Sequence, residues 1–160
     1  MIIKSIISML VIVLLISGCS SEAEETAQKI SKVNEEKSTM TTVNKENLIQ
    51  IQIGNKNFDA VLENNPTVEV FLKKLPLDIE LEELNGNEKY YHFNEKFPTN
   101  DSIPEMIHAG DLMLFNGSYF VMFYKDFSTS YSYTRLGKIK NPDGLNDAVG
   151  SGKIKITIKS

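Results

Sequence analysis

The chain has 160 residues, of which 41% are hydrophobic and 24% are charged. This balance excludes a chain that is disordered from end to end. The 17 basic and 21 acidic side chains give a net charge of -4. Nucleic-acid-binding domains normally carry a basic excess, so that class of protein is disfavoured. The single cysteine excludes a disulfide framework within the chain, and two histidines leave little for a histidine-rich metal site.

The first elements of the chain are an export signal and a lipid-attachment motif. An apolar run at 6–16 suits a signal peptide but is shorter than the about 20 residues that a membrane-spanning helix needs. Residues 16–19, Ile-Ser-Gly-Cys, resemble the bacterial lipobox, whose cysteine is diacylated and becomes the N-terminus after cleavage. We therefore predict a lipoprotein signal peptide at 1–18 and lipidation at Cys19, which holds the protein on a membrane. The alternatives are an ordinary secretory signal and an uncleaved anchor.

Residues 19–47 are predicted to be the lipidated N-terminus followed by a flexible tether. Ser20 to Asn47 is polar and has no aromatic residue, so it cannot bury enough apolar surface to offset its ordering entropy. A short helix over 23–37 is the alternative. The predicted location is the outer side of the cytoplasmic membrane, or the outer membrane in a cell that has one.

Residues 48–160 are predicted to form one domain. Alternating isoleucines at 49, 51 and 53 predict a first strand, and a turn at 54–57 leads to a second strand at 58–62. Asn65 before Pro66 predicts a helix cap and a short helix, which ends before Pro76.

Further strands are predicted in the second half of this domain, with a surface loop at 97–106. Asn141-Pro142 predicts the start of a second helix, which runs through Val149 to a stop at Gly150. The predicted strands lie at 77–84, 90–93, 111–115, 119–124, 133–139 and 153–159. Eight short strands without a βαβ rhythm favour a mainly β fold, an eight-stranded closed antiparallel barrel with two short helices. Closure would pair the similar first and last strands, which would otherwise be exposed edges.

Four local strings, at 83–90, 109–112, 127–134 and 136–139, resemble a family of compact bacterial cyclophilin-like domains. The resemblance covers 48–160 and implies a cyclophilin-like barrel. Some relatives are joined to flavodoxin-like domains, which implies a redox neighbourhood for the family.

Cyclophilins isomerise Xaa-Pro bonds, whose uncatalysed barrier is about 18–20 kcal/mol, with the help of an arginine. Residues 91–93, Tyr-His-Phe, resemble the string that carries this arginine, and Phe93 stands in its place. Residues 108–111, His-Ala-Gly-Asp, resemble a Gln-Gly-Gly-Asp string, and His108 stands in place of the glutamine. Because two polar catalytic positions differ, the resemblance disfavours isomerase activity.

Several polar and aromatic side chains are candidate ligand contacts. Arg135, the only arginine, can bind a carboxylate or carbonyl bidentately, or it can form a surface ion pair. Tyr131 and Tyr133 point to one side of an extended segment that is rich in hydroxyl groups, and they either line a cleft or cover the barrel mouth. His108 can titrate near neutral pH or be structural, and Asp111 is predicted to fix the turn before it. The full candidate set is Tyr91, Phe93, His108, Tyr131, Tyr133 and Arg135.

These observations predict a membrane-tethered, non-enzymatic binding module for a small molecule or an extended peptide. One alternative is a peptidyl-prolyl isomerase that acts on exported proteins. Another is an accessory subunit of a surface redox or transport assembly, which would bind an envelope protein. Neither a metal nor a cofactor is predicted.

Overall fold

A computed structural model of the protein describes residues 47–160. The predicted signal peptide, the lipidation site at Cys19 and nearly all of the predicted tether lie outside the described residues. No helix within 47–160 is long and apolar enough to cross a bilayer.

Eight strands and two helices follow one another along the described chain. They are β1 Asn47–Ile53, β2 Lys56–Leu62, α1 Pro66–Leu72, β3 Leu77–Leu84, β4 Glu88–His92, β5 Asp111–Phe115, β6 Tyr119–Phe123, β7 Thr134–Ile139, α2 Leu145–Val149 and β8 Ile154–Lys159. The strands form a closed barrel in the order β1-β2-β7-β5-β6-β4-β3-β8.

The last strand closes the barrel against the first. β8 runs antiparallel to β1, with Ile158 opposite Ile51 and Ile156 opposite Ile53, and its other edge pairs with β3. The prediction of an eight-stranded closed antiparallel barrel with two short helices is confirmed. Closure leaves neither β1 nor β8 with a free edge, as their similar isoleucine patterns suggested.

The interior of the barrel is largely apolar, with the buried Lys89 as an exception, and α1 packs against it. The side chains of β1 alternate between buried isoleucines and exposed polar residues, as a half-buried strand requires. The Asn65 side chain accepts the N–H of Val68 at 2.9 Å and so caps α1 as predicted. Phe71 of α1 stacks on Phe120 of β6, with ring centroids 5.6 Å apart.

The second helix begins later than the sequence predicted. α2 starts at Leu145, after Gly144, whose φ of 74° lies in the left-handed region. Asn141 does not cap it, because its side chain accepts the N–H of Asp143 at 3.0 Å in a local turn. The prediction of a helix from Pro142 was therefore wrong by three residues.

A second apolar cluster lies on the outer face of the barrel. Met113 of β5 and Val121 and Phe123 of β6 are buried on this face, against Ile107, Phe127 and Tyr133 from the segments 97–107 and 124–133. The two segments are tied by isolated bridges, Ser102 with Tyr133 and Ile107 with Phe127. The surface loop predicted at 97–106 is confirmed, because every residue in it except Phe97 is exposed or partly exposed.

Candidate functional site

A cleft of about 510 Å³ lies on the outer wall of the barrel, beside this second apolar cluster. We call it the outer-wall cleft. One side comes from the turn between β3 and β4 and the start of β4, and the other from the segment that precedes β7. Its lining residues are Leu84, Asn85, Asn87, Glu88, Phe115, Phe127, Ser128, Thr129, Ser130, Tyr131 and Tyr133. Its size is within the range of small-molecule sites, about 300–1,000 Å³.

Glu88 is the only formally charged residue in this lining. It lies on the outer face of β4, opposite Phe123 of β6, and is 8% exposed. Burial, and then the negative charge of Glu83, raise the pKa of the Glu88 carboxyl to about 7. The carboxyl therefore exchanges a proton near neutral pH at the wall of an aromatic cleft, as carboxyls at functional sites often do.

Glu88 also borders a second, smaller depression. This depression measures about 290 Å³ and shares Leu84, Glu88 and Phe115 with the outer-wall cleft. Its remaining lining comes from the outer faces of β4 and β6, including Tyr90 and Tyr119, and from Asn116 in the turn before β6. The carboxyl of Glu88 is therefore placed where a ligand in either depression could reach it.

Two polar side chains next to Glu88 add to the site. Asn87 Oδ1 is buried and has no hydrogen-bond donor within the described chain. Burial and the negative charge of Glu88 raise the pKa of the Tyr133 phenol, although a hydrogen bond with Thr129 lowers it. The cleft thus combines a buried carboxyl, an unpaired amide oxygen and a phenol that stays protonated.

The aromatic side of the cleft centres on Phe115 at the end of β5. The Tyr131 ring meets it edge-on, with centroids 5.9 Å apart and planes at 81°. Tyr133 lies 5.5 Å from Phe115 and 5.5 Å from Phe123, and it is 5% exposed. Tyr131 is 64% exposed, so its ring is available to a ligand.

Of the six predicted contacts, the structure brings only Tyr131 and Tyr133 into this cleft. Tyr91 and Phe93 lie in the barrel interior, with ring centroids 5.0 Å apart and a T-shaped arrangement. The structure therefore does not bring the candidate residues together in one cleft.

His108 and Arg135 meet around Asp111 instead. An oxygen of the buried Asp111 carboxyl accepts the backbone N–H of His108 at 2.9 Å, which fixes the turn as predicted. Arg135 Nη2 lies 3.6 Å from the other oxygen, and its Nε lies 3.8 Å from Glu63. The His108 ring faces Asp126, at 3.4 Å, so it does not form a pair with the Asp111 carboxyl.

Sequence reasoning missed Glu88, Asn87 and Phe115. Asn85-Gly86-Asn87 is a typical turn sequence, and it does not indicate that the distant segment 127–133 forms the other side of a cleft beside Glu88. One signal was available in β5 and β6, whose apolar runs are continuous and do not alternate. Such runs are typical of strands that are buried on both faces, which predicts a cover over the outer wall.

A depression of about 580 Å³ on another part of the barrel wall has a different character. It lies over β3 and β8, and its polar side chains are largely exposed, with the Thr157 hydroxyl bonded to Asp78. No three His, Cys, Asp or Glu side chains within 47–160 converge as metal ligands would. The outer-wall cleft is therefore the stronger candidate, because it pairs concavity with a buried ionisable group.

Comparison with known proteins finds a family whose sequence model matches this chain. The sequence model described as the cyclophilin-like family matches residues 51–159. A solution structure of the hypothetical protein AF2241 from Archaeoglobus fulgidus is similar, with a TM-score of 0.51 and 13% sequence identity. The match covers 71% of this chain and 94% of that protein, and at this identity it shows the fold alone. No curated protein matches the chain.

Proposed function

We propose that this chain, which belongs to the cyclophilin-like family, is a non-enzymatic binding module tethered to the cell envelope. Its ligand, a small molecule or part of an extended peptide, occupies the outer-wall cleft. The observation that carries the proposal is the burial of Glu88, 8% exposed, in a cleft of about 510 Å³ with aromatic walls. An aromatic site with a few converging polar groups is what small-molecule sites share.

The placement of Arg135 favours binding over prolyl isomerisation. An isomerase needs a cationic donor beside the proline ring of its substrate. Arg135 is instead paired with Asp111 and Glu63, outside the lining of the outer-wall cleft, and Phe93 is packed inside the barrel. We therefore propose recognition without bond rotation.

Replacing Tyr131 with alanine is expected to weaken binding about tenfold or more, because exposed aromatic rings supply much of the contact energy in such sites. The measurement is a thermal-shift screen of the full chain in detergent against metabolites and proline-containing peptides, since a bound ligand raises the melting temperature. Hits are then titrated against wild type and Tyr131→Ala. Leu48→Ala, at an exposed position on β1, is the control and should bind as wild type does. Hits that bind Tyr131→Ala with full affinity would place the site elsewhere.

The membrane tether is the second part of the proposal. The support for it is the lipobox-like string 16–19, whose only cysteine is Cys19, after an apolar run of signal-peptide length. Cys19→Ser is expected to abolish acylation, because serine offers no thiolate for lipid transfer. Fractionation should then find the protein outside the membrane pellet or in an unprocessed form, and intact mass should show no acyl chains. Acyl chains on Cys19→Ser would refute the assignment.

A further inference from the structure

The geometry points to a protonated primary amine, carried on an apolar body, as the group that the outer-wall cleft recognises. This inference rests on the outer-wall cleft being the ligand site proposed above. Three features of the cleft carry it, namely two acceptors without donors, an uncompensated negative charge and a wall of aromatic rings.

The two acceptors are Glu88 and Asn87. No residue in 47–160 donates a hydrogen bond to the Glu88 carboxyl, although the residue is 8% exposed. Asn87 Oδ1 is buried and equally without a donor in the described chain. The Glu88 carboxyl lines the cleft and can accept N–H groups from a ligand there, whereas Asn87 Oδ1 is shielded from solvent and needs a small movement of its side chain to do so.

The charge of Glu88 is not balanced by a neighbouring cation. Lys89, the next residue, points into the barrel and pairs with Glu83 at 2.6 Å. Lys153 pairs with Glu82 at 3.0 Å on the outer face. With both lysines engaged and no other charge in the cleft lining, a positively charged ligand group is the complement that the site requires.

The aromatic wall suits the same ligand. Phe115, Tyr131 and Tyr133 present rings beside the carboxyl, and ring faces attract ammonium groups while ring bodies cover apolar chain. Because the two acceptors require N–H donors, the arrangement selects a primary amine over a quaternary ammonium, which has charge but no donor.

The recognition depends on the ionisation of Glu88. Burial and the charge of Glu83 raise its pKa to about 7, so the amine affinity should increase between about pH 5 and about pH 8 as the carboxyl ionises. Other titratable groups packed against this region, apart from the two ion pairs above, are Tyr90, His92, Tyr119, Tyr131 and Tyr133. The His92 ring stacks on Tyr119, with centroids 4.4 Å apart.

The test uses probes that share one ring and differ in one group. Phenethylamine, phenethyl alcohol and phenethyltrimethylammonium are titrated into the full chain in a non-ionic detergent, and amide shifts of 84–88 and 127–133 are followed by NMR. Phenethylamine is expected to bind about tenfold tighter than the other two, because a charged hydrogen bond adds to the ring contacts. Glu88→Gln should remove this preference and flatten the pH profile, while His92→Gln should retain both.

Each other result has a definite meaning. Equal affinity for the amine and the alcohol, with shifts in the cleft, would overturn the amine inference but keep the cleft as a ligand site. Equal binding of the trimethylated probe would likewise overturn it, since that probe lacks N–H donors. If the affinity of the wild-type protein for phenethylamine does not change with pH, that result alone would contradict the amine inference. An absence of cleft shifts with all probes, together with no cleft-dependent hit in the thermal screen, would overturn both proposals.

The amine could belong to a free metabolite or to a lysine side chain of a peptide. A blocked tripeptide with a central lysine, compared with its norleucine counterpart, separates the two sources. A lysine peptide that binds more tightly than phenethylamine assigns the amine to a protein ligand, and the reverse assigns it to a small molecule. A norleucine peptide that binds as tightly as the lysine peptide would contradict amine recognition.

Discussion

Replacing Lys89 with methionine is expected to lower the free energy of unfolding by about 2–4 kcal/mol. The Lys89 side chain is completely buried, and Nζ lies 2.6 Å from the Glu83 carboxylate. It also donates to the carbonyl oxygens of Gly150 at 3.0 Å and Gly152 at 2.5 Å, just after α2. Methionine fills similar space but leaves these acceptors without their donor. The expected loss of stability is smaller than for a fully buried ion pair, because the Glu83 side chain is 26% exposed.

Chemical denaturation of the full chain in detergent, followed by circular dichroism, measures this loss. Lys153→Met is the matched control, since Lys153 and Glu82 form an ion pair whose side chains are 58% and 49% exposed. It should leave the unfolding midpoint almost unchanged. Combining Lys89→Met with Glu83→Gln should recover part of the loss, because the uncompensated carboxylate is then gone. A Lys89→Met protein as stable as wild type would show that this network does not hold the α2 end of the barrel.

Replacing Glu88 with glutamine is expected to stabilise the protein at alkaline pH. The pKa of Glu88 rises from an ordinary 4.5 to about 7 on folding. The folded state therefore holds a proton that the unfolded state has released, so this group's contribution to stability is full below pH 4.5 and is lost as pH rises through about 7. At about 1.36 kcal/mol for each pH unit, and allowing for water in the open cleft, the gain at pH 8 is about 1–3 kcal/mol.

The same denaturation experiment, repeated at about pH 4 and about pH 8, tests this expectation. Glu88→Gln should differ little from wild type at the lower pH and be more stable at the higher pH. Glu80→Gln, an exposed position on β3, serves as the control and should follow the wild-type pH dependence. A variant that is destabilised equally at both pH values would mean that Glu88 makes structural contacts as a carboxylate.

The barrel could be predicted because its signals are local. Alternate isoleucines in 49–53 and 154–158 mark two half-buried strands, and Asn116-Gly117 marks the turn between β5 and β6. The cap at Asn65 was equally readable. By contrast, the start of α2 depends on the left-handed Gly144, where Asn141-Pro142 offered an equally good local signal.

The candidate site was harder to predict because distant segments build it. The segment 127–133 forms the side of the cleft that faces Glu88. The sequence of the turn at 85–87 does not indicate that this distant segment lies beside it. β4 carries aromatic side chains on both faces, Tyr90 outward and Tyr91 inward, so alternation could not say which face meets the core. The hydroxyl-rich segment around Tyr131 and Tyr133 was the part of the site that composition revealed.

A measurement of the pKa of the Glu88 carboxyl tests the recognition site on the outer wall most directly. A carbon-13 NMR titration of the Glu88 side chain in the full chain, with Glu88→Gln used for assignment, reports it without any ligand. A midpoint near 7 is predicted, because burial in the cleft disfavours the charged form. A midpoint near 4.5 would show a fully hydrated glutamate, and the cleft would then lack the buried acceptor on which both binding proposals depend.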